Sequence, residues 1–301
     1  MKKCLITTSS FDIEDNKFIK ILIREGWELI LNPLKRKLTE EEILTLIKKE
    51  QPEVIIAGVE PLTKKVLENA ENLKIISRCG AGIDNIDLDF AKFKNIQIKN
   101  TPDAPSQAVA EFTIALLFSL SKKINEMSVD LKIHKKWQKI MGINLKGKTL
   151  GVMGFGRIGK KVEKFAGLIG MKTIIYDPIS HPNGLDNLKE ESDFISIHIP
   201  YTKNNHHFVN KDFMRQMKKG AGLINTSRGN IIDEDALYEI LFEQHLSCAA
   251  LDVFADEPYL NGKLLELNNI ILTPHSASNT KETRKQMEEE SAENVVKEFY
   301  R

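Results

Sequence analysis

Charge of one sign is what this sequence most lacks. Across 301 residues, 43 Lys and Arg stand against 42 Asp and Glu, a formal net charge of +1. A dedicated nucleic-acid or membrane-surface binder needs a concentrated basic face, and this balance argues against both. There is no run of eighteen apolar residues, so no membrane span is expected. The short apolar run Cys4–Ile6 cannot form the core of a signal peptide. Cysteine is scarce: Cys4, Cys79 and Cys248 are odd in number, far apart and without metal-type spacing. They read as reduced thiols of a cytoplasmic protein with no metal site. Solenoid repeats and low-complexity tracts are also missing.

What remains is a globular chain long enough for two domains. Short β-branched runs alternate with helical stretches. Strands are expected at 4–7, Glu28–Leu31, Val54–Ala57 and 73–77, with helices at 16–25, 39–49 and 63–69. Apolar strands separated by helices imply parallel sheets covered on both faces, an α/β fold. The pattern then changes to one helical region, 105–136, with a break near Lys122. Its stripe of Ala108, Phe112, Ala115, Leu116 and Leu120 looks too apolar to cap one domain, so it is expected against a second subunit or between domains. Alternation resumes with strands at Thr149–Met153, 173–176, Phe194–Ile197, Gly222–Asn225, Cys248–Leu251 and 270–273. A helix over Lys281–Phe299 closes the chain.

The strand Thr149–Met153 runs into Gly154-Phe-Gly156-Arg157-Ile158-Gly159, and a helix follows. Alone, such a glycine pattern is weak. Here it lies between strand and helix, and the next strand ends in Asp177. Gly154 permits the tight turn, Gly156 lets backbone approach a pyrophosphate, and Gly159 lets helix pack on strand. The helix N-terminus offers free N–H groups to phosphates. A carboxylate at Asp177 suits ribose hydroxyls and repels a 2′-phosphate, which favours NAD over NADP. The competing reading is three structural glycines in an ordinary turn.

Three later segments each follow a strand: Asn225-Thr226-Ser227-Arg228-Gly229, Leu251-Asp252-Val-Phe254 with Glu257-Pro258, and Thr273-Pro-His275. Arg228 suits bidentate capture of a carboxylate. Singly, Arg228 reads equally as a surface ion pair, Glu257 as a turn residue and His275 as a packed loop histidine. Together, behind a nucleotide site, they favour catalysis on an oxoacid.

With these segments the chain resembles the D-isomer-specific 2-hydroxyacid dehydrogenases, and within them the phosphoglycerate dehydrogenases. Further matching segments are Cys79-Gly80-Ala81-Gly82-Ile-Asp-Asn-Ile-Asp87, Ala108-Val-Ala-Glu111 and His198-Ile-Pro200. The resemblance implies two doubly wound parallel-sheet domains. A flavodoxin-like substrate domain would span 1–98, completed by 275–301, and a Rossmann NAD domain 99–274. A cleft with a hinge would join them, and a helical arm at 105–136 would dimerise. It also implies roles. His275 is the acid/base, oriented and kept protonated by Glu257, and Arg228 binds the substrate carboxylate. Arg78 and the Gly80-Ala81-Gly82 loop bind substrate. Gly154, Gly156, Arg157, Ile158, Gly159, Asp177, His198, Pro200, Thr226, Ser227 and Asp252 hold NAD, with Asp252 near the nicotinamide carboxamide.

Some departures from the family pattern touch the loop beside the cofactor and leave the chemistry standing: Ala277 stands where many relatives have glycine, and Tyr201 and Asn205 replace the usual residues after Pro200. Another bears on the substrate. At the end of the third strand, Ala57-Gly58 replaces an arginine that often serves phosphate. Arg78, with Lys136 and Lys139 from the arm, narrowly favours 3-phosphoglycerate/phosphohydroxypyruvate over glyoxylate or hydroxypyruvate. With the chain closing at Arg301, no serine-responsive regulatory domain is expected. Other readings are an NAD-sensing corepressor on this fold, and oxidation of phosphite or formate.

Overall fold

The computed structural model describes residues 2–300. In chain order, the first block of elements is β1 (Lys3–Ile6), α1 (Lys17–Arg24), β2 (Glu28–Leu31), α2 (Glu40–Glu50), β3 (Val54–Ala57), α3 (Lys64–Glu68), β4 (Ile75–Arg78), α4 (Leu88–Phe93) and β5 (Gln97–Asn100). The second is α5 (Ser106–Lys122), α6 (Ile124–Lys132), β6 (Thr149–Met153), α7 (Arg157–Leu168), β7 (Lys172–Tyr176), α8 (Leu185–Glu191), β8 (Phe194–Ile197), α9 (Lys211–Gln216), β9 (Gly222–Asn225), α10 (Glu234–Phe242), β10 (Cys248–Leu251) and β11 (Ile270–Leu272). A last helix, α11 (Lys281–Phe299), closes the chain.

Two compact units result. One runs through Pro105 and regains the chain from Asn279; the other is Ser106–Ser278. Sequence placed these divisions at 98/99 and 274/275. The first shifts because β5, polar and half exposed, pairs with β4 in the first sheet. Every strand pair is parallel, in the orders β2-β1-β3-β4-β5 and β11-β10-β9-β8-β6-β7. Parallel strands need apolar side chains on both faces, and β3, β8, β9 and β10 are buried at every residue. The helices start where side chains cap them. Asn16 accepts from two N–H groups of α1, and Thr39 with Glu42 forms a capping box on α2.

In the first unit, α11 packs Met287, Ala292 and Val295 against Cys4, Ile6, Ile19 and Leu22. In the second, the sequence expectation for the helical region needs correcting. Leu116 and Leu120 are buried in one cluster with Val152 and Val162 of that unit, and Ala108 is buried as well. Only Ala115 of the stripe is exposed. The helix does break, at Lys123, whose φ of 57° interrupts the hydrogen-bond ladder. It ends at Lys132 rather than Lys136, and the apolar exposure lies beyond the break: Ile124, Leu131, Ile133, Trp137 and Met141.

Candidate active site

The second sheet reverses its strand order between β6 and β8, and the chain segments leaving those strands meet there. Gly154, at the end of β6, has φ 99°. A Cβ on it would stand 2.6 Å from the His198 carbonyl carbon, so glycine alone lets the two segments close. A Cβ on Gly159 would run into the Gly154 carbonyl, which fixes α7 against the turn. Gly156 differs: a Cβ there would meet nothing within 4 Å. It is the N-cap of α7, and no side chain caps that helix. Gly156 and Arg157 are exposed, so the first amides of α7 are open to an anion.

Asp177 closes this loop from β7. Oδ2 accepts from the Phe155 amide at 2.9 Å, and Oδ1 accepts from the amides of Ile179 and Ser180. Those donors, Phe155 first, hold its carboxyl at about 2. The group is therefore anionic at neutral pH. An uncapped helix end, open space at Gly156 and a fixed carboxylate fit a dinucleotide. His198 bonds through Nε2 to Ser196 Oγ at 2.7 Å, while its buried Nδ1 has no partner. Burial lowers it to about 3, so it is a neutral ring. Thr226 bonds the Thr113 hydroxyl of α5, and Ser227 donates to the Ile199 carbonyl. Pro200 is exposed, and its carbonyl accepts from Asn205.

The ends of β9, β10 and β11 bring the expected catalytic groups into one unit. His275 Nδ1 lies 2.8 Å from Glu257 Oε2 and 3.1 Å from Oε1. Oε1 also accepts from the Phe254 amide, which orients the carboxylate. His275 itself has φ 50°, unusual for a residue with a Cβ. Asp252 helps keep it there. This fully buried carboxylate accepts from the Thr273 hydroxyl and from the amides of Ser276 and Ala277, while its backbone carbonyl takes the His275 amide. The resemblance places Asp252 near the nicotinamide carboxamide, and its oxygens hold the histidine loop. Arg228 is half-buried and donates from Nη1 to the Ser227 carbonyl at 2.7 Å. Its neighbour Gly229 sits against the Phe254–Ala255 peptide, where a Cβ would overlap backbone. Arg228 and Glu257 thus sit on loops locked together by one glycine.

The remaining expected residues lie in the first unit. Arg78 ends β4, and its guanidinium lies over Gly80 and donates to the Cys79 carbonyl. Gly80, at φ 144°, spends its own amide on the Arg78 carbonyl. The amides left for an anion are those of Ala81 and Gly82. Sequence reasoning missed Glu60 altogether. It is 1% exposed and accepts from the Gly58 amide at 3.2 Å and from the Thr7 hydroxyl. A charged residue beside Pro61 reads as a surface turn, and only the fold shows it turned inward.

Residues 114–277 match the family described as "D-isomer specific 2-hydroxyacid dehydrogenase, NAD binding domain". The chain is similar to a hydroxypyruvate reductase of Thermotoga maritima, 39% identical over 294 residues, covering 92% of this chain and 96% of that protein. It is 41% identical over 261 residues to a D-3-phosphoglycerate dehydrogenase of Methanocaldococcus jannaschii, covering 82% of this chain but only 49% of that protein. A D-lactate dehydrogenase from Aquifex aeolicus, solved with NAD and lactic acid, superposes with a TM-score of 0.83 at 32% identity, over 98% of this chain and 95% of that one.

Proposed function

The chain belongs to the D-isomer specific 2-hydroxyacid dehydrogenase family, an NAD-binding oxidoreductase acting on the CH–OH group, and from that premise we propose that it reduces a small unphosphorylated 2-oxo acid, hydroxypyruvate or glyoxylate. One observation carries the chemistry: the 2.8 Å contact between His275 Nδ1 and Glu257. A carboxylate on Nδ1 fixes the ring and leaves Nε2 as the nitrogen that can deliver a proton. Bound NADH supplies the hydride. His275 protonates the carbonyl oxygen, Glu257 stabilises the imidazolium before transfer, and Arg228 pairs with the substrate carboxylate and polarises the neighbouring carbonyl. In the first unit, Arg78 and the Ala81 and Gly82 amides are assigned to substrate recognition.

The unphosphorylated acid is preferred, against the narrow lean of the sequence towards the phosphorylated one, on two supports. Ala57, the last residue of β3, brings no cation to that edge. A relative matched over 96% of its length carries the name hydroxypyruvate reductase. Arg78 keeps phosphohydroxypyruvate as the second reading. NADH consumption with glyoxylate, hydroxypyruvate, pyruvate and phosphohydroxypyruvate tests the choice; a kcat/KM highest for the phosphorylated acid would reverse it.

We assign the protein to the cytoplasm, with three buried thiols, Cys4 pushed by burial up to about 12 and Cys79 to about 11. No helix among the described residues is long and apolar enough to cross a membrane. We also propose a symmetric homodimer through the segment after Lys123, where Trp137 is 87% and Met141 93% exposed. Light scattering at micromolar concentration should give twice the 34.2 kDa chain mass; the monomer mass would refute it.

A further inference from the structure

Beyond Asp177 the chain turns back at once. Asp177 and His181 exchange both backbone hydrogen bonds: the His181 amide donates to the Asp177 carbonyl at 2.9 Å, and the Asp177 amide donates to the His181 carbonyl at 3.1 Å. The turn between them, Pro178-Ile179-Ser180, is exposed, and so is His181. The Ser180 hydroxyl lies 3.1 Å from Asp177 Oδ1 and 2.9 Å from His181 Nδ1. The imidazole also stands edge-on to the Phe155 ring, with centres 5.1 Å apart. The Phe155 amide is the donor to Asp177 Oδ2. His181 therefore packs on the glycine-rich loop and reaches the Asp177 carboxylate through a single hydroxyl.

That hydroxyl has one proton and two neighbours that can take it. While Nδ1 of a neutral ring is bare, the proton goes to the ring or to Asp177. A protonated imidazole donates from both nitrogens, so Nδ1 gives to Ser180 Oγ and the serine proton is committed to Asp177 Oδ1. Protonation thus adds a positive charge two hydrogen bonds from Asp177. It also secures one more donor on Oδ1, beside the amides of Ile179 and Ser180. Both effects weaken the repulsion between this carboxylate and a second anion. Imidazole is the side chain that changes charge between about pH 5 and 8. The other charged groups around the turn do not change there. Asp177 is held at about 2 by its donors, Phe155 first. Arg157 and Lys160 of α7, the latter with Nζ 5.7 Å from the Phe155 ring centre, belong to types that stay cationic.

We propose that His181 is a specificity-determining residue for the dinucleotide: with its ring neutral, Asp177 refuses a phosphate on the 2′-hydroxyl of the adenosine ribose, and with its ring protonated that phosphate is tolerated. The choice between NADH and NADPH then follows pH. This rests on the reading of Asp177 as the carboxylate that meets the ribose. The discrimination comes from like-charge repulsion that a neighbour can switch off, with no new contact to NADH.

Dissociation constants for NADH and NADPH, from fluorescence titrations of the full chain at about pH 6 and about pH 8.5, test this without any turnover. The 2′-phosphate itself takes up a proton near pH 6, which eases repulsion in every variant. The decisive comparison is therefore with His181→Gln, which keeps a polar side chain and cannot become charged. From about pH 8.5 to about pH 6 the NADPH/NADH ratio of dissociation constants should fall about three- to fivefold further in the unmodified chain than in His181→Gln, the worth of an exposed charge pair. His181→Lys, a fixed cation, should lower the ratio by about the same factor already at about pH 8.5. Equal pH drift in the unmodified chain and His181→Gln overturns the inference, and an unaltered ratio in His181→Lys is equally fatal. In both cases a preference for NADH at about pH 8.5 leaves the Asp177 reading standing. An unmodified chain with no such preference removes the reading and the inference together.

Discussion

The two units share one plan, a parallel sheet reversing at an early strand, yet they treat charge at that reversal in opposite ways. In the second unit, Asp177 stands on the rim, ionised and bonded by backbone amides, while His198 is a neutral buried ring. In the first, the carboxylate of Glu60 is turned inside, and burial works against its charge. An exposed anion with open amides beside it can take a ribose and a pyrophosphate. A carboxyl turned inside and bonded to the Thr7 hydroxyl and the Gly58 amide leaves no such opening. The same topology thus supports an open anion site in one unit and a closed, buried carboxyl in the other, and the difference lies in a few residues after each strand.

That comparison predicts that changes in the second unit strike turnover and changes in the first strike substrate choice. The largest effect should come from His275→Ala, which should lower kcat by about 10²–10⁴-fold, the usual share of general acid catalysis, with NADH binding by fluorescence nearly intact. Retained turnover would remove His275 from its role. Gly229→Ala should follow, because its Cβ overlaps the Phe254–Ala255 peptide. Overpacking of this kind costs about 1–3 kcal/mol, read as a lower unfolding midpoint, and should depress kcat by separating the Arg228 and Glu257 loops. Asp177→Ser should narrow the NADH over NADPH preference by about tenfold, the worth of one charged contact. Equal kcat/KM for both cofactors in the unmodified chain would sink that assignment.

The smallest effect concerns acid. His198 sits below its ordinary value, at about 3. A group whose folded value is depressed stabilises above its unfolded value near 6.5 and loses that contribution as pH falls toward 3. The stability gap between the unmodified protein and His198→Gln should therefore shrink on acidification below pH 6.5, by at most about 1.4 kcal/mol per pH unit. Glu60 runs the other way. Its raised value gives a contribution present in acid and lost as pH rises above the ordinary carboxyl value of 4.5, so Glu60→Gln should flatten the fall in stability that begins there. Parallel profiles for the two variants would erase the contrast between the units.

Sequence made the second unit more legible than the first. Gly154, Gly156, Gly159 and Asp177 lie within one strand–helix–strand stretch, so their joint purpose shows in local order. The pairing of His275 with Glu257 was expected from resemblance, and the geometry agrees. Less visible was anything made by tertiary approach. The β5 strand was missed because Gln97–Asn100 is polar and only half covered at a sheet edge. The Gly229 lock depends on a peptide 25 residues away, and the Asp252 bonds to the histidine loop span more than 20 residues. The apolar stripe of α5 was misjudged because periodicity shows which face is apolar and not what covers it.

The central claim is that this chain reduces 2-oxo acids with NADH through His275. Its most direct test is NADH oxidation by the purified protein on hydroxypyruvate and glyoxylate, run beside His275→Ala, with the product's chirality determined. The account predicts steady turnover to the D-hydroxy acid from hydroxypyruvate, and its collapse in the variant. No NADH oxidation with any 2-oxo acid, or an L product, would contradict it.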